Sequence, residues 1–279
     1  MRIEDLLFFA KQHVHSDHAK ILLAELLNKN PLELLTCLDE VVEDDLVEIY
    51  KKEIEALKTG KPIQYVIGNV NFYGDKFYVN ENVLIPRFET EELVENTINY
   101  VNEIFKEPID MIDLGTGSGV IGLTLEKKVS TNSVDLVDIS EKALEVTHKN
   151  CGNFNSKANI ILSDMFDNIP NTNKYDLVIS NPPYIKTDEE IEEIVKNNEP
   201  HIALYGGEDG LDFYKKILYS VKPYLKEKSI IAFEIGYTQA EDIKKIVQEV
   251  LPTSKVIIKQ DLSEKNRMMF IFNNINENI

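Results

Sequence analysis

The run YDLVISNPPYIKTD, residues 175 to 188, is apolar up to a serine and then breaks into asparagine, two prolines and a tyrosine. Proline donates no backbone hydrogen bond to a sheet ladder, so Pro182 and Pro183 end the strand at about Ser180. Asn181, directly before a proline, is kept out of the helical region and held extended. A side-chain amide and a backbone carbonyl are thereby fixed just beyond a strand's carboxyl end, where open α/β sheets bind ligands. No obvious general base stands nearby, so the chemistry on offer is orientation of a hydrogen-bond donor rather than its deprotonation.

A second cluster lies upstream. DMIDLGTGSGVIGLTL places Asp113 at the tip of a strand, then Gly115, Thr116, Gly117 and Gly119, then a helix. Glycines there let a ligand approach the backbone and let the turn adopt positive φ. Such a turn serves dinucleotide enzymes and methyltransferases alike, but here the third glycine follows the second by two residues, where the dinucleotide fingerprint waits three. Asp138, with Ile139 after it, ends the next strand, where a carboxylate can accept both ribose hydroxyls of an adenosine. In SDMFD, Asp164 can accept an adenine amine while Met165 and Phe166 cover the ring. Asp135 reads as a strand-surface acid.

The elements that must position these groups follow two patterns. Residues 1 to 70 show helical periodicity only. Ser16 or Asp17 caps one helix, Asn30 with Pro31 opens another, and a third runs from about Asp39 to Leu57 and stops at Gly60. VNFYGDKFYVNENVLIP, within a 71–88 linker, reads as a β-hairpin about a Gly-Asp turn. From residue 89 to 279, helices alternate with apolar strands at 109–114, 133–138, 159–164, 175–180, 229–235, 255–260 and 267–273, which implies a doubly wound α/β sheet, mostly parallel. The last two strands are joined by six residues, DLSEKN, too few for a parallel crossover, so the final strand is antiparallel.

Composition narrows the function classes. The chain has 279 residues, 43% hydrophobic, 28% charged, with a net charge of −18. That charge argues against a grip on phosphate backbones. LDEVVEDDLVEIYKKEIEAL, residues 38 to 57, holds eight carboxylates against two lysines, either a solvated helix face or a docking surface for a basic protein. Two distant cysteines, Cys37 and Cys151, fit a reducing compartment. No apolar run reaches the roughly 20 residues that span a bilayer, and the N-terminus does not read as a signal peptide, so a cytoplasmic location is expected. His13, His15 and His18 lie on different faces about a helix cap, and no metal site is expected.

In their order, DLGTGSG, Asp138, Asp164 and NPPY resemble class I S-adenosylmethionine-dependent methyltransferases that act on planar amino or amide nitrogen. GKPIQYVIGNVNFYGDKFYVNENVLIPRFETEELVE, EPHIALYGGEDGLDFYKKI, FEIGYTQ and KQDLSEKNRMMFI resemble the release factor glutamine methyltransferases, the PrmC/HemK family, over nearly the whole chain. One departure is Phe88, where that family usually has a second proline.

The resemblance implies a Rossmann-like seven-stranded sheet with an antiparallel last strand and a helical N-terminal domain that orients the substrate. It implies S-adenosylmethionine as cofactor, held by the residues named above and by Asn181. Its substrate would be the glutamine of a Gly-Gly-Gln loop in class I release factors, with Asn181, Pro182 and Tyr184 catalytic and Pro183 beside them in the substrate site. The Asn181 side-chain oxygen and the Pro182 carbonyl would take the two N–H hydrogens, and Tyr184 would pack on the amide and close the pocket wall. Arg87, Glu89 and Thr90 would lie near the pocket, with Thr90 also suited to an N-cap. A monomer is expected. An adenine-amino DNA or RNA methyltransferase shares the NPPY run, but it needs a basic face that this chain does not supply.

Overall fold

The computed structural model describes residues 1–275. They fall into two compact units, residues 1–69 with 192–198, and residues 70–191 with 199 onward.

The first unit is helical: α1 (Ile3–Lys11), α2 (Ser16–Leu26), α3 (Asp44–Lys58) and the short α4 (Ile63–Ile67), with a 3-10 turn over Glu33–Thr36. In α3, Val47, Tyr50, Ile54 and Leu57 are buried at three- and four-residue spacing, the stripe a surface helix turns to its core. The Tyr50 hydroxyl keeps a partner inside by donating to the Ala19 carbonyl at 3.1 Å. Three sequence expectations change here. His15, not Ser16 or Asp17, caps α2, its Nδ1 accepting from the Asp17 N–H. Asn30 is not a helix cap: its side chain accepts from Leu32 N–H at 2.9 Å, and the four-residue 3-10 turn that follows has Leu32 at its N-cap with no side-chain bond. Helix α3 starts at Asp44 rather than 39, because Val42 N–H donates to the Met1 carbonyl and Val41 bridges Arg2.

Strands β1 (Asn69–Phe72) and β2 (Asp75–Tyr78) form the expected hairpin. Its two-residue turn is Tyr73-Gly74, with φ of +50° and +83°, not Gly-Asp. Both residues are left-handed, as the twist of a tight hairpin requires.

The second unit continues with α5 (Phe88–Ile104), β3 (Ile109–Leu114), α6 (Val120–Lys128), β4 (Thr131–Asp138), α7 (Glu141–Phe154), β5 (Asn159–Leu162) and β6 (Tyr175–Ser180). After α8 (Glu193–Asn198), which belongs with the helical unit, come α9 (Asp212–Val221), β7 (Leu225–Glu234), α10 (Ala240–Val250), β8 (Lys255–Gln260) and β9 (Asn266–Asn273). The seven strands lie in the order β5-β4-β3-β6-β7-β9-β8. All neighbours are parallel except β9, which inserts between β7 and β8 antiparallel to both.

Successive strand residues serve opposite faces. Leu177 and Ile179 join one apolar cluster and Val178 the other; Ile230 and Ala232 alternate with Ile231 and Phe233 in the same way. Burial on both faces is why these strands read as unbroken apolar runs rather than alternating ones. The strand order reverses between β3 and β6, and beyond the carboxyl ends at such a point lies a crevice for a ligand.

Candidate active site

At the end of β3 the backbone turns through Gly115, Gly117 and Gly119 at φ of +71°, +56° and +83°. A Cβ on Gly115 or Gly117 would meet nothing within 4 Å, so no protein atom fills the space over this turn. Asp113 braces it from beneath. Its Oδ2 accepts from the Thr116 hydroxyl at 2.6 Å and from Gly122 N–H at 3.1 Å, while its buried Oδ1 has no partner. Burial pushes this carboxyl up to about 7. Asp113 is thus a support under the turn, not part of the cavity wall.

Asp138 clamps the same turn from β4. One oxygen accepts from Gly117 N–H and the other from Ser140 N–H, both at 2.9 Å. Burial raises its pKa against those donors.

The NPPY run follows β6, whose last residue, Ser180, is tied to the Leu114 carbonyl of β3 at 2.6 Å. Asn181 Nδ2 donates to the Thr90 hydroxyl oxygen at 3.3 Å. Pro182 is buried. The Tyr184 hydroxyl donates to Glu234 at 3.4 Å, and burial raises its pKa; its ring packs against the apolar core instead of closing the cavity wall.

The chain beyond Tyr184 is strapped to the loop 204–207: Ile185 N–H donates to the Leu204 carbonyl and Gly206 N–H returns to the Ile185 carbonyl at 2.8 Å. A Cβ on Gly206 would come within 2.5 Å of the Pro183 carbonyl. The glycines of ALYGGEDG therefore permit close backbone approach to the NPPY segment.

One cavity joins these parts. Gly115, Thr116, Gly117, Asp138 and Ile139 line one side, and Asn181, Pro183 and Thr90 line another. Asp164 and Met165 also face it. Asp164 carries an ion pair to Lys216 at 2.5 Å. Phe166 does not cover this space: it is buried and stacked on Tyr224 with ring centroids 4.4 Å apart. Asp135 is not a surface acid either, since it is buried and accepts from the Tyr175 hydroxyl at 2.6 Å.

Arg87 holds Glu199 at 2.6 Å, and Glu199 in turn accepts from Ile85 N–H. Arg87 occupies the N-cap position of α5, so Thr90 is not the cap. Phe88 stands at the first helical position, where proline is also tolerated, so its departure from the family pattern leaves α5 intact.

Sequence reasoning passed over three residues around this site. Glu234, the last residue of β7, is 2% exposed and receives Thr90 and Tyr184. Gln239 donates to the Tyr184 carbonyl at 2.9 Å, and Phe213 adds apolar wall. Glu234 lies in the quoted FEIGYTQ, but a lone acid after an apolar run carried no sign of its partners.

An open glycine turn, a clamped carboxylate at the end of the next strand and apolar Ile139 and Met165 suit a nucleoside with a charged tail. Together with the sheet order, they define a class I S-adenosylmethionine-dependent methyltransferase. Residues 91–203 match the methyltransferase small domain and residues 8–68 the PrmC N-terminal domain. The release factor glutamine methyltransferase of Bacillus cereus is 37% identical over 267 residues, covering 94% of each chain. That of Bacillus subtilis is 37% identical over 240 residues, 84% of this chain and 83% of that one. The chain belongs to the release factor glutamine methyltransferases.

Among solved structures, a methyltransferase from Pyrococcus furiosus has a TM-score of 0.55 at 16% identity, covering 81% of this chain and 98% of that one. A T. thermophilus 16S rRNA methyltransferase in complex with AdoMet and guanosine gives 0.52 at 13%, covering 74% and 50%. Both show the shared fold.

Proposed function

We propose that this protein transfers a methyl group to the side-chain amide nitrogen of the Gly-Gly-Gln glutamine in class I release factors. The observation that carries the reading is that the glycine turn with Asp138 and the amide of Asn181 border one cavity. When bound there, S-adenosylmethionine supplies an electrophilic methyl on its sulfonium. Gly115, Gly117 and Asp138 would hold the amino-acid and ribose parts, Ile139 and Met165 would flank the base and Asp164 would accept from its amine.

An amide nitrogen is a poor nucleophile because its lone pair is delocalised into the carbonyl. The Asn181 Oδ1 and the Pro182 carbonyl accept hydrogen bonds from its two N–H groups and turn the lone pair out of conjugation. As the N–C bond forms the methyl–sulfur bond breaks, the sulfur leaves as a neutral thioether, and one N–H proton is released to water. Preorganised acceptors of this kind are worth roughly several kcal/mol without any side chain tuned in pKa. The helical unit orients the release factor; the enzyme acts as a cytoplasmic monomer and does not bind nucleic acid directly.

The test is transfer of labelled methyl into a purified class I release factor, beside a copy with Gln→Ala in the Gly-Gly-Gln loop and beside duplex and single-stranded DNA. Label in the wild-type factor alone is expected. Label in DNA, or equally in both factors, overturns the assignment of substrate.

A further inference from the structure

We propose that Glu234 and Thr90 are positioning residues that set which end of the Asn181 amide meets the substrate; this rests on the function proposed above.

The hydrogen bonds run in one direction. Glu234 is buried at the end of β7, and its Oε2 lies 2.6 Å from the Thr90 hydroxyl. An ionised carboxylate only accepts, so Thr90 spends its single proton on Glu234. The Thr90 oxygen retains only acceptor capacity, and its neighbour at 3.3 Å is the Asn181 amide. Asn181 can therefore meet Thr90 only through Nδ2, which leaves Oδ1 for the substrate amide.

The reversed amide would present two donors to a substrate that itself donates, and the site would lose an acceptor. The same carboxylate takes the Tyr184 hydroxyl on its other oxygen, so both polar side chains of the NPPY run converge on Glu234. Burial pushes the Glu234 carboxyl up, and the Thr90 and Tyr184 hydroxyls together with cationic Arg267, itself paired with Asp261 at 3.2 Å, oppose that push in favour of the ionised form.

Neither Glu234 nor Thr90 is adjacent to NPPY in sequence; they reach it from β7 and from the first turn of α5. A purely structural role predicts that mutants lose stability and all activities together. A positioning role predicts that the turnover step falls alone.

The decisive variants are Glu234→Gln, which keeps shape but can donate to Thr90 and reverse the chain of bonds, and the pair Thr90→Val and Thr90→Ser. In the full chain, with labelled S-adenosylmethionine and a purified release factor, Glu234→Gln and Thr90→Val should lower kcat about 30-fold or more, a misplacement effect within the ~100-fold range. Their KM for S-adenosylmethionine should stay within about threefold, the level of an untouched cofactor site, and Thr90→Ser should restore kcat to within the same factor.

A Thr90→Val enzyme as fast as Thr90→Ser, or a parallel loss of cofactor affinity, overturns the proposal. That pair decides even if Glu234→Gln fails to fold. An independent readout needs no substrate: in 15N-edited spectra the Asn181 side-chain NH2 should show cross-peaks to the Thr90 methyl in the wild type. Absence of those cross-peaks overturns the orientation, whereas failure of the wild type to label any release factor overturns the proposed function instead.

Discussion

The two sides of the cavity are built from different materials. At the end of β3 the backbone does the shaping: three glycines at positive φ, with Asp113 and Asp138 bonded to backbone N–H groups and to Thr116. At the ends of β6 and β7 side chains do it: Asn181 on Thr90, and Thr90 and Tyr184 on Glu234. A backbone cradle suits a ligand that must be held, since it offers shape at close range. A directed chain of side-chain bonds suits a group whose lone pair must be aimed, since it fixes which atoms donate and which accept. Under the proposed function, affinity belongs to the first region and rate to the second.

The strongest way to break that division is Asn181→Ala. Loss of one preorganised partner should cut methyl transfer about 100-fold to 1000-fold, while S-adenosylmethionine affinity by calorimetry stays near wild type; Asn181→Asp should also impair transfer. A comparable loss of affinity in either variant would show that Asn181 belongs to the cofactor side. The mirror experiment is Gly117→Ala. A methyl group at φ of +56° costs about 1–2 kcal/mol of backbone strain and projects where nothing now stands within 4 Å. The strain falls on folding stability, whereas crowding of the cofactor by the new methyl should raise its Kd about tenfold, or about 1.4 kcal/mol, with transfer at saturating cofactor little changed.

What could be read in advance follows the same line. Strands β3, β6 and β8 match their apolar runs residue for residue; in β3 and β6 two buried faces leave long hydrophobic segments, β8 is a half-buried edge strand, and glycine, proline or an acid follows each run closely. The glycine turn and NPPY are contiguous, so their shape is local. The Glu234 to Thr90 bond joins residues 144 apart in sequence, and the Gln239 bond to the Tyr184 carbonyl spans 55. No spacing rule connects such pairs. Phe166 was misplaced for a related reason: its neighbour Met165 sits at φ of +53°, and a left-handed residue redirects the side chain that follows. Helix α3 lost its first turn to contacts with Met1 and Arg2, which no helix signal near Asp39 records.

The buried carboxyl of Asp113 sharpens the comparison by stability. Asp113 has a pKa raised from 3.8 to about 7, so the folded state binds a proton more tightly than the unfolded chain. Its contribution is therefore most favourable below about 4 and is lost as pH rises toward 7, a span worth at most about 4 kcal/mol. Asp113→Asn keeps the shape and removes the charge. Melting temperatures from pH 4 to 8 should show wild type losing stability relative to Asp113→Asn as pH rises. A constant difference across that range would mean that the carboxyl stays ionised in the fold, held by Thr116 and Gly122.

The smallest expected effect concerns Asp164 and Lys216, each with about a third of its side chain exposed, at 37%. A pair this solvated contributes about 0–1 kcal/mol, so Lys216→Ala should move the melting temperature little. Lys216 reaches Asp164 through Oδ2 at 2.5 Å, and a carboxylate with about four acceptor sites keeps capacity for an adenine amine. Lys216→Ala should then change S-adenosylmethionine affinity less than about threefold, under 1 kcal/mol, whereas Asp164→Ala removes a hydrogen bond to a charged group and should weaken it about tenfold. If Lys216→Ala weakens binding as much as Asp164→Ala, the ion pair itself shapes the base site, and side-chain direction matters on the cofactor side as well as beside NPPY.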